Sequence, residues 1–124
     1  MVAIRDLMSS AVVDADPQTS VAQAAAAMVA AGVGSAIIMQ GSFVAGILTE
    51  RDVLRAAASG QDLRVSPVAE WMTPDPQSAG PDVAAEEAAQ IMLLHGFRHL
   101  PVVEGKQVCG VVSLRDLFAA RIRR

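Results

Sequence analysis

The stretch that decides the fold occurs twice, as Gly46-Ile-Leu-Thr-Glu-Arg-Asp52 and as Gly110-Val-Val-Ser-Leu-Arg-Asp116. In both copies a glycine and two aliphatic residues precede a hydroxyl residue, and an aspartate follows that hydroxyl residue three positions later. Short aliphatic runs favour strands, whereas serine and threonine are favoured as the cap at the start of a helix. We therefore predict, at both places, a strand that leads directly into a helix.

The two stretches belong to a longer internal repeat. Sliding the sequence by 64 positions, from 4 to 68, aligns residues 4–60 with residues 68–124 without a gap. Self-similarity at a fixed period indicates repeated structural units. We predict two repeats with these bounds that together form one globular module, because neither could bury both of its faces alone. The matches include Gly32, Gly41 and Gly46 with Gly96, Gly105 and Gly110, and Arg51-Asp52 with Arg115-Asp116.

Each repeat predicts the same order of elements. A short helical opener and an irregular stretch precede an alanine-rich helix that ends at a glycine. Two strands follow around a glycine turn, and a second helix starts at the hydroxyl residue. The order is roughly β-α-β-β-α twice, which is a mixed α+β fold. The predicted ranges are 4–8 and 68–72 for the openers, 20–31 and 84–95 for the first helices, and 35–40, 43–48, 99–104 and 107–112 for the strands.

Composition excludes several classes of protein. The 124 residues carry a net charge of −3, whereas nucleic-acid binders are normally basic. No run reaches the ~18–20 apolar residues of a membrane span, and the single cysteine, Cys109, cannot form an internal disulfide, which favours a reducing cytoplasm. The sequence contains no nucleophile–base set and no metal-binding set. We therefore expect a cytoplasmic protein that is not an enzyme, with no metal, no cofactor, no membrane association and no nucleic-acid partner.

The alanine-rich helix points to a protein partner. Its sequence, Val21-Ala-Gln-Ala-Ala-Ala-Ala-Met-Val-Ala-Ala31, is apolar nearly all the way round, and such helices are buried on more than one side. Because a monomer of this size has little core to cover the second side, we predict a homodimer through these Ala- and Met-rich helices. The alternative is that alanine, a good helix former, simply faces water.

The repeated stretch also predicts a ligand site. The hydroxyl of Thr49 or Ser113 and the free N–H groups at the start of the helix can hold a phosphate. Arg51 and Arg115, each two positions after the hydroxyl residue, can neutralise the charge of that phosphate. A carboxylate one turn later, from Asp52 or Asp116, can accept hydrogen bonds from both hydroxyls of a ribose. The alternative is that the same Thr/Ser-x-x-Asp pattern only caps the helix.

The chain from about 4 to 124 resembles a tandem pair of cystathionine-β-synthase-type (CBS) domains, a Bateman module. The resemblance implies two sheets packed face to face with the helices outside and a pseudo-twofold axis, and dimerisation through helices. It also implies clefts between the sheets that bind AMP, ADP, ATP or S-adenosylmethionine. The matching motifs are Asp6-Leu-Met8, Val33-Gly-Ser-Ala-Ile-Ile-Met39, Gly46-Ile-Leu-Thr-Glu-Arg-Asp-Val-Leu54, Trp71-Met-Thr73, Gly96-Phe-Arg-His-Leu-Pro-Val-Val103 and Gly110-Val-Val-Ser-Leu-Arg-Asp-Leu117.

The resemblance assigns roles to individual positions. The aspartates match the ribose ligands, the hydroxyl residues lie near ribose or phosphate, and residues at the strand starts lie beside the base or phosphates. Gly34-Ser35 in the first repeat replaces Arg98-His99 of the second, so phosphate-binding charge is concentrated on the second repeat and the two sites differ. The predicted ligand-binding residues are Ser35, Ala36, Ile47, Thr49, Arg51 and Asp52, and Arg98, His99, Leu100, Val111, Ser113, Arg115 and Asp116.

Two functions follow as hypotheses. The first is a regulatory module that binds an adenine nucleotide or S-adenosylmethionine as a regulatory ligand, not a cofactor, and signals to a separate effector protein by a change of conformation. The alternative is a ligand-free dimeric scaffold that regulates a separately encoded enzyme or transporter.

Overall fold

The computed structural model describes residues 1–122, which form two compact units. We call Ala11–Pro76 the Asp52 unit, and Met1–Ser10 together with the chain from Gln77 onward the Asp116 unit. The final two positions of the predicted second repeat, 123 and 124, lie outside the described residues. Between positions 1 and 122, no helix is long and apolar enough to cross a membrane.

The Asp52 unit contains a four-stranded sheet and two helices. Its strands have the order β1-β2-β3-β4, with β1 parallel to β2 and the other pairs antiparallel. One face of the sheet packs against helix α1 and a short 3-10 helix at Val68–Glu70 in a core that includes Met28, Ile38 and Leu48. The element bounds are β1 Asp14–Ala15, α1 Val21–Ala31, β2 Ser35–Gln40, β3 Phe43–Thr49, α2 Glu50–Ala58 and β4 Thr73–Pro74.

The Asp116 unit repeats the helix–hairpin–helix part of this plan. Strands β5 and β6 form an antiparallel hairpin, and its core includes Met92, Leu100 and Val112. The mixed α+β fold predicted from the sequence is therefore confirmed. The bounds are a 3-10 helix at Ile4–Asp6, α3 Ala85–His95, β5 His99–Glu104, β6 Gln107–Ser113 and α4 Leu114–Ile122.

The strand that precedes the first helix differs between the units. In the Asp52 unit, the N–H of Ile37 donates to the carbonyl of Val13 at 2.8 Å, and β1 pairs with β2 over two residues. The residue 64 positions later is Pro101, which has no N–H to donate. The counterpart of β1 is accordingly reduced to a single bridge between Ala79 and Val102. The predicted β-α-β-β-α order therefore has a full first strand in only one unit.

Each compact unit contains the opener of the other sequence repeat. The opener of the first repeat joins the Asp116 unit, where Ile4 is fully buried and its N–H donates to the carbonyl of Val83 at 2.9 Å. The opener of the second repeat joins the Asp52 unit in the same way, because Val68 is fully buried and its N–H donates to the carbonyl of Thr19 at 2.8 Å. Each compact unit therefore combines most of one sequence repeat with the opener of the other.

Candidate functional site

The start of α2 is a closed ring of hydrogen bonds between Thr49 and Asp52. The backbone N–H and the hydroxyl of Thr49 both donate to Asp52 Oδ2, at 2.9 and 3.1 Å. The N–H of Asp52 in turn donates to Thr49 Oγ1 at 3.4 Å. This is a capping box. The Thr-x-x-Asp pattern therefore does cap the helix, as one of its two interpretations predicted. A ligand bound by Asp52 would have to share the carboxylate with this capping box.

Asp52 has a further partner that the sequence pattern did not indicate. Arg55 Nη1 donates to Asp52 Oδ1 at 3.0 Å, and the guanidinium carbon of Arg55 lies 5.6 Å from the centre of the Trp71 ring. Asp52 is only 6% exposed, whereas the Arg55 side chain is 60% exposed. Trp71 packs against the core of the Asp52 unit. The carboxylate is thus covered by an arginine that rests on a fixed ring.

The start of α4 repeats the capping box without this cover. The backbone N–H of Ser113 donates to Asp116 Oδ2 at 2.8 Å, and the N–H of Asp116 donates to Ser113 Oγ at 3.0 Å. The residues that correspond to Arg55 and Trp71, 64 positions away, are Ala119 and Leu7. Within the described part of the chain, no group donates to Asp116 Oδ1, and Asp116 is half-buried.

The backbone amides of both helix starts are mostly satisfied inside the chain. The N–H of Glu50 donates to the carbonyl of Gly34 at 3.0 Å, and the N–H of Leu114 donates to that of Arg98 at 2.8 Å. The third N–H group of each helix donates to the hydroxyl of its capping residue, Thr49 or Ser113. Among the described residues, only the second N–H group of each helix, that of Arg51 or Arg115, therefore has no acceptor. An anion at either helix start would therefore meet one N–H group without an acceptor, and the arginine that carries this N–H, Arg51 or Arg115, has an exposed side chain.

The strand starts lie beside these helix starts. Ser35 pairs with Thr49 across β2 and β3, and His99 pairs with Ser113 across β5 and β6. Ser35 is buried and His99 is half-buried, whereas Arg98 is exposed. The structure thus brings the polar residues predicted for each repeat to one strand-to-helix junction.

The predicted apolar residues separate into two groups. Ile47 and Val111 are buried but alternate along their strands with the core residues Leu48 and Val112, so they lie on the opposite face of the strands. Ala36 and Leu100 belong to the hydrophobic cores themselves. Their side chains pack inward, and only their backbone groups reach the junctions.

Comparison with known proteins identifies the fold family. The family model of the CBS domain matches residues 4–59 and 68–123. CBS domain-containing protein YhcV of Bacillus subtilis (strain 168) is 34% identical over 118 residues, which cover 94% of this chain and 84% of that protein.

Two solved structures have the same fold over most of the chain. The hexameric CBS-CP12 protein from bloom-forming cyanobacteria has a TM-score of 0.89 at 26% identity, over 95% of this chain and 70% of that one. The CBS domain pair of protein MJ0100, solved in complex with 5′-methylthioadenosine and S-adenosyl-L-methionine, has a TM-score of 0.88 at 22% identity, over 99% of this chain and 98% of that one. With two matched segments on a duplicated α+β fold, the chain belongs to the CBS domain family and is a tandem pair of these regulatory domains.

Proposed function

We propose that this CBS domain pair is a regulatory module that binds adenosine-containing ligands, namely AMP, ADP, ATP or S-adenosylmethionine, at its two strand-to-helix junctions. Ligand binding would change the conformation of the module and so its contact with a separate effector protein. The observation that carries the proposal is Asp116: one oxygen of its carboxylate caps α4, and the other has no donor among the described residues.

The chemistry of the junction suits a ribose attached to a phosphate or to another charged group. Ionised carboxylates accept hydrogen bonds strongly, and the free oxygen of Asp116 can accept from the vicinal hydroxyls of a ribose. The N–H of Arg115 and the exposed side chains of Arg98 and Arg115 offer donors to an anion. The buried Val111 on the same strand offers an apolar surface to a base.

The ligands of a structural neighbour are consistent with this class. Protein MJ0100 was solved with two compounds that both contain adenosine. At 22% identity that likeness supports the fold alone, so the choice of ligand class for this chain rests on its own two aspartates and their neighbours.

Calorimetric titration with AMP, ADP, ATP and S-adenosylmethionine tests the proposal. Asp116→Asn keeps an oxygen that can accept from the Ser113 N–H, so the helix cap survives while the charged acceptor is lost. Since hydrogen bonds to charged groups contribute roughly 1.5–3 kcal/mol, we expect affinity at this junction to fall about ten- to a hundredfold. Asp82→Asn is the matched control, because Asp82 lies in the same unit, is exposed and is ion-paired only with Arg5 among the described residues.

Two results would contradict the proposal. One is that no adenosyl compound binds the unmodified chain at millimolar concentration. The other is that Asp82→Asn weakens binding as much as Asp116→Asn, because the loss would then reflect net charge and not the junction.

A ligand-free dimeric scaffold for a separately encoded enzyme or transporter is the second candidate. The observation that favours it is that both capping boxes close without a ligand, and that Asp52 is already covered by Arg55. A thermal shift separates the two, because a ligand at 100 times its Kd stabilises the folded chain by about 2.7 kcal/mol, whereas a scaffold shows no shift with any adenosyl compound.

A further inference from the structure

We propose that Arg55 makes the two junctions unequal by acting as an internal competitor for the Asp52 carboxylate. Ribose then binds first at Asp116, and the Asp52 junction accepts it only after Arg55 has moved away. The inference rests on the proposed function, because it concerns which of the two junctions an adenosyl ligand occupies and what controls access to the other.

Counting acceptor positions gives the first argument. A carboxylate offers about four acceptor positions, and a pair of vicinal hydroxyls needs two of them. Asp52 already accepts three hydrogen bonds, two from Thr49 and one from Arg55, whereas Asp116 accepts one, from Ser113, within the described residues. Asp116 can therefore receive a ribose as it stands. Asp52 has too few free positions until the bond from Arg55 is broken.

The second argument is that Arg55 is held from both sides. Its guanidinium bonds to Asp52 on one side and lies over the Trp71 ring on the other, and cations attract aromatic faces. Trp71 is itself fixed, because it packs against the core of the Asp52 unit. In the Asp116 unit the corresponding residues are Ala119 and Leu7, which can form neither contact.

The charges around the two helix starts act in the same direction. At the start of α2, Arg51 and Arg55 are balanced by Glu50 and Asp52, so the formal charge is zero. At the start of α4, the residue that corresponds to Glu50 is the apolar Leu114, and Arg98 replaces Gly34. Two arginines, Arg98 and Arg115, thus accompany a single aspartate there, which leaves a positive formal charge. A ligand with a phosphate is therefore drawn to the Asp116 junction.

The test is a calorimetric titration with adenosine and with AMP on the unmodified chain and on Arg55→Ala, which copies the alanine at position 119. Adenosine has the ribose hydroxyls without a phosphate, so its binding reports access to the carboxylate alone. An ion pair with one exposed partner and a cation–π contact together correspond to about a three- to thirtyfold change in affinity. We expect Arg55→Ala to strengthen adenosine binding at the Asp52 junction by that factor, and Ala119→Arg to weaken it at the Asp116 junction.

Two reference variants make the titration specific. Arg64→Ala removes an arginine of the same unit that is ion-paired with Asp62, an exposed aspartate whose pKa is lowered by the hydrogen bond from Arg64, and we expect it to leave both affinities unchanged. Asp116→Asn weakens binding at the Asp116 junction, so the heat of binding that remains reports the Asp52 junction. Trp71 is the only tryptophan. As adenosine fills the Asp52 junction of the unmodified chain, the fluorescence emission of Trp71 should approach that of the Arg55→Ala variant.

The possible failures are distinguishable. If neither adenosine nor AMP binds any variant, this inference fails, and the proposed function fails with it when ADP, ATP and S-adenosylmethionine do not bind either. If adenosine binds at Asp116 but Arg55→Ala leaves its affinity at Asp52 unchanged, only the competitor role is wrong. If Arg55→Ala weakens AMP binding and leaves adenosine binding unchanged, Arg55 is a phosphate ligand and not a competitor.

Discussion

Asp52 and Asp116 each stabilise the start of a helix, whatever ligand they take. Their carboxylates accept hydrogen bonds from the backbone N–H groups of Thr49 and Ser113, which would otherwise lack partners at the starts of α2 and α4. A substitution at either position therefore changes two properties, the affinity for a ligand and the stability of the chain. The two effects separate only when the stability of the variants is measured without ligand.

At this scale we predict unequal stability costs. Asp116→Ala removes a cap and should lower the free energy of unfolding by about 0.5–2 kcal/mol. Asp52→Ala should lower it by about 1 kcal/mol more, because the hydroxyl of Thr49 and the guanidinium of Arg55 also lose their acceptor. Urea unfolding of both variants measures the difference. Equal costs would mean that neither the hydrogen bond from the Thr49 hydroxyl nor the one from Arg55 contributes to stability.

The sequence predicted the capping pairs but not the contact between Arg55 and Trp71. Thr49 and Asp52 are three positions apart, so their interaction is local and any helix start would bring them together. Trp71 belongs to the second sequence repeat, and an alignment of the repeats places Leu7 in its position beside Asp52. Only the exchange of openers between the units brings Trp71 next to Arg55.

The hairpins and openers meet at two glycines that the sequence alignment had already matched. A Cβ built on Gly46 would lie 2.8 Å from the carbonyl oxygen of Thr73, and one built on Gly110 would lie 2.5 Å from that of Ser9. Both distances are shorter than packed atoms tolerate. Glycine is therefore needed at these positions because the chain after each opener runs directly against the strand, not because of the backbone dihedral angles.

We predict that Gly46→Ala and Gly110→Ala each lower the free energy of unfolding by about 1–3 kcal/mol. Gly110→Ala should cost more, because its closest contact is backbone, whereas the closest atom to Gly46 is the mobile sulfur of Met72. Gly80→Ala is the control, since nothing lies within 4 Å of a Cβ there. Chemical denaturation of the three variants gives the ranking, and a loss at Gly80 as large as at Gly110 would refute the packing argument.

Most elements could be predicted because their signals are local. Strands β2 and β5 lie at the predicted bounds, and both alanine-rich helices end at a glycine with left-handed dihedral angles, Gly32 and Gly96. Two elements are exceptions: strand β4 at Thr73–Pro74 was not predicted, and the first strand of the second repeat is reduced to a single bridge. Its loss depends on Pro101 in a neighbouring strand, and such a tertiary effect is not visible in the segment that loses the strand.

For the molecule as a whole, the homodimer through the alanine-rich helices is a prediction that remains open. Helix α1 buries one face, formed by Val21, Ala24 and Met28, and leaves Val29 on its outer side 82% exposed. The corresponding Leu93 on α3 is 73% exposed. The second helices repeat the pattern, because Leu54 and its counterpart Phe118 are 71% and 65% exposed. The same apolar pair is thus presented to solvent by each unit.

A second copy of the chain is the partner that this repetition favours, since a twofold interface requires the same surface on both subunits. Burying a valine or leucine contributes about 1.5–3 kcal/mol. Val29→Glu combined with Leu93→Glu should therefore weaken a dimer by at least on the order of a hundredfold, and light scattering at micromolar concentration should then show a monomer. Phe43→Glu places one such glutamate on a similarly exposed hairpin residue and should leave the dimer intact. A monomeric parent chain would mean that these side chains face water or a different protein. Dissociation by Phe43→Glu alone would move the interface to the hairpin.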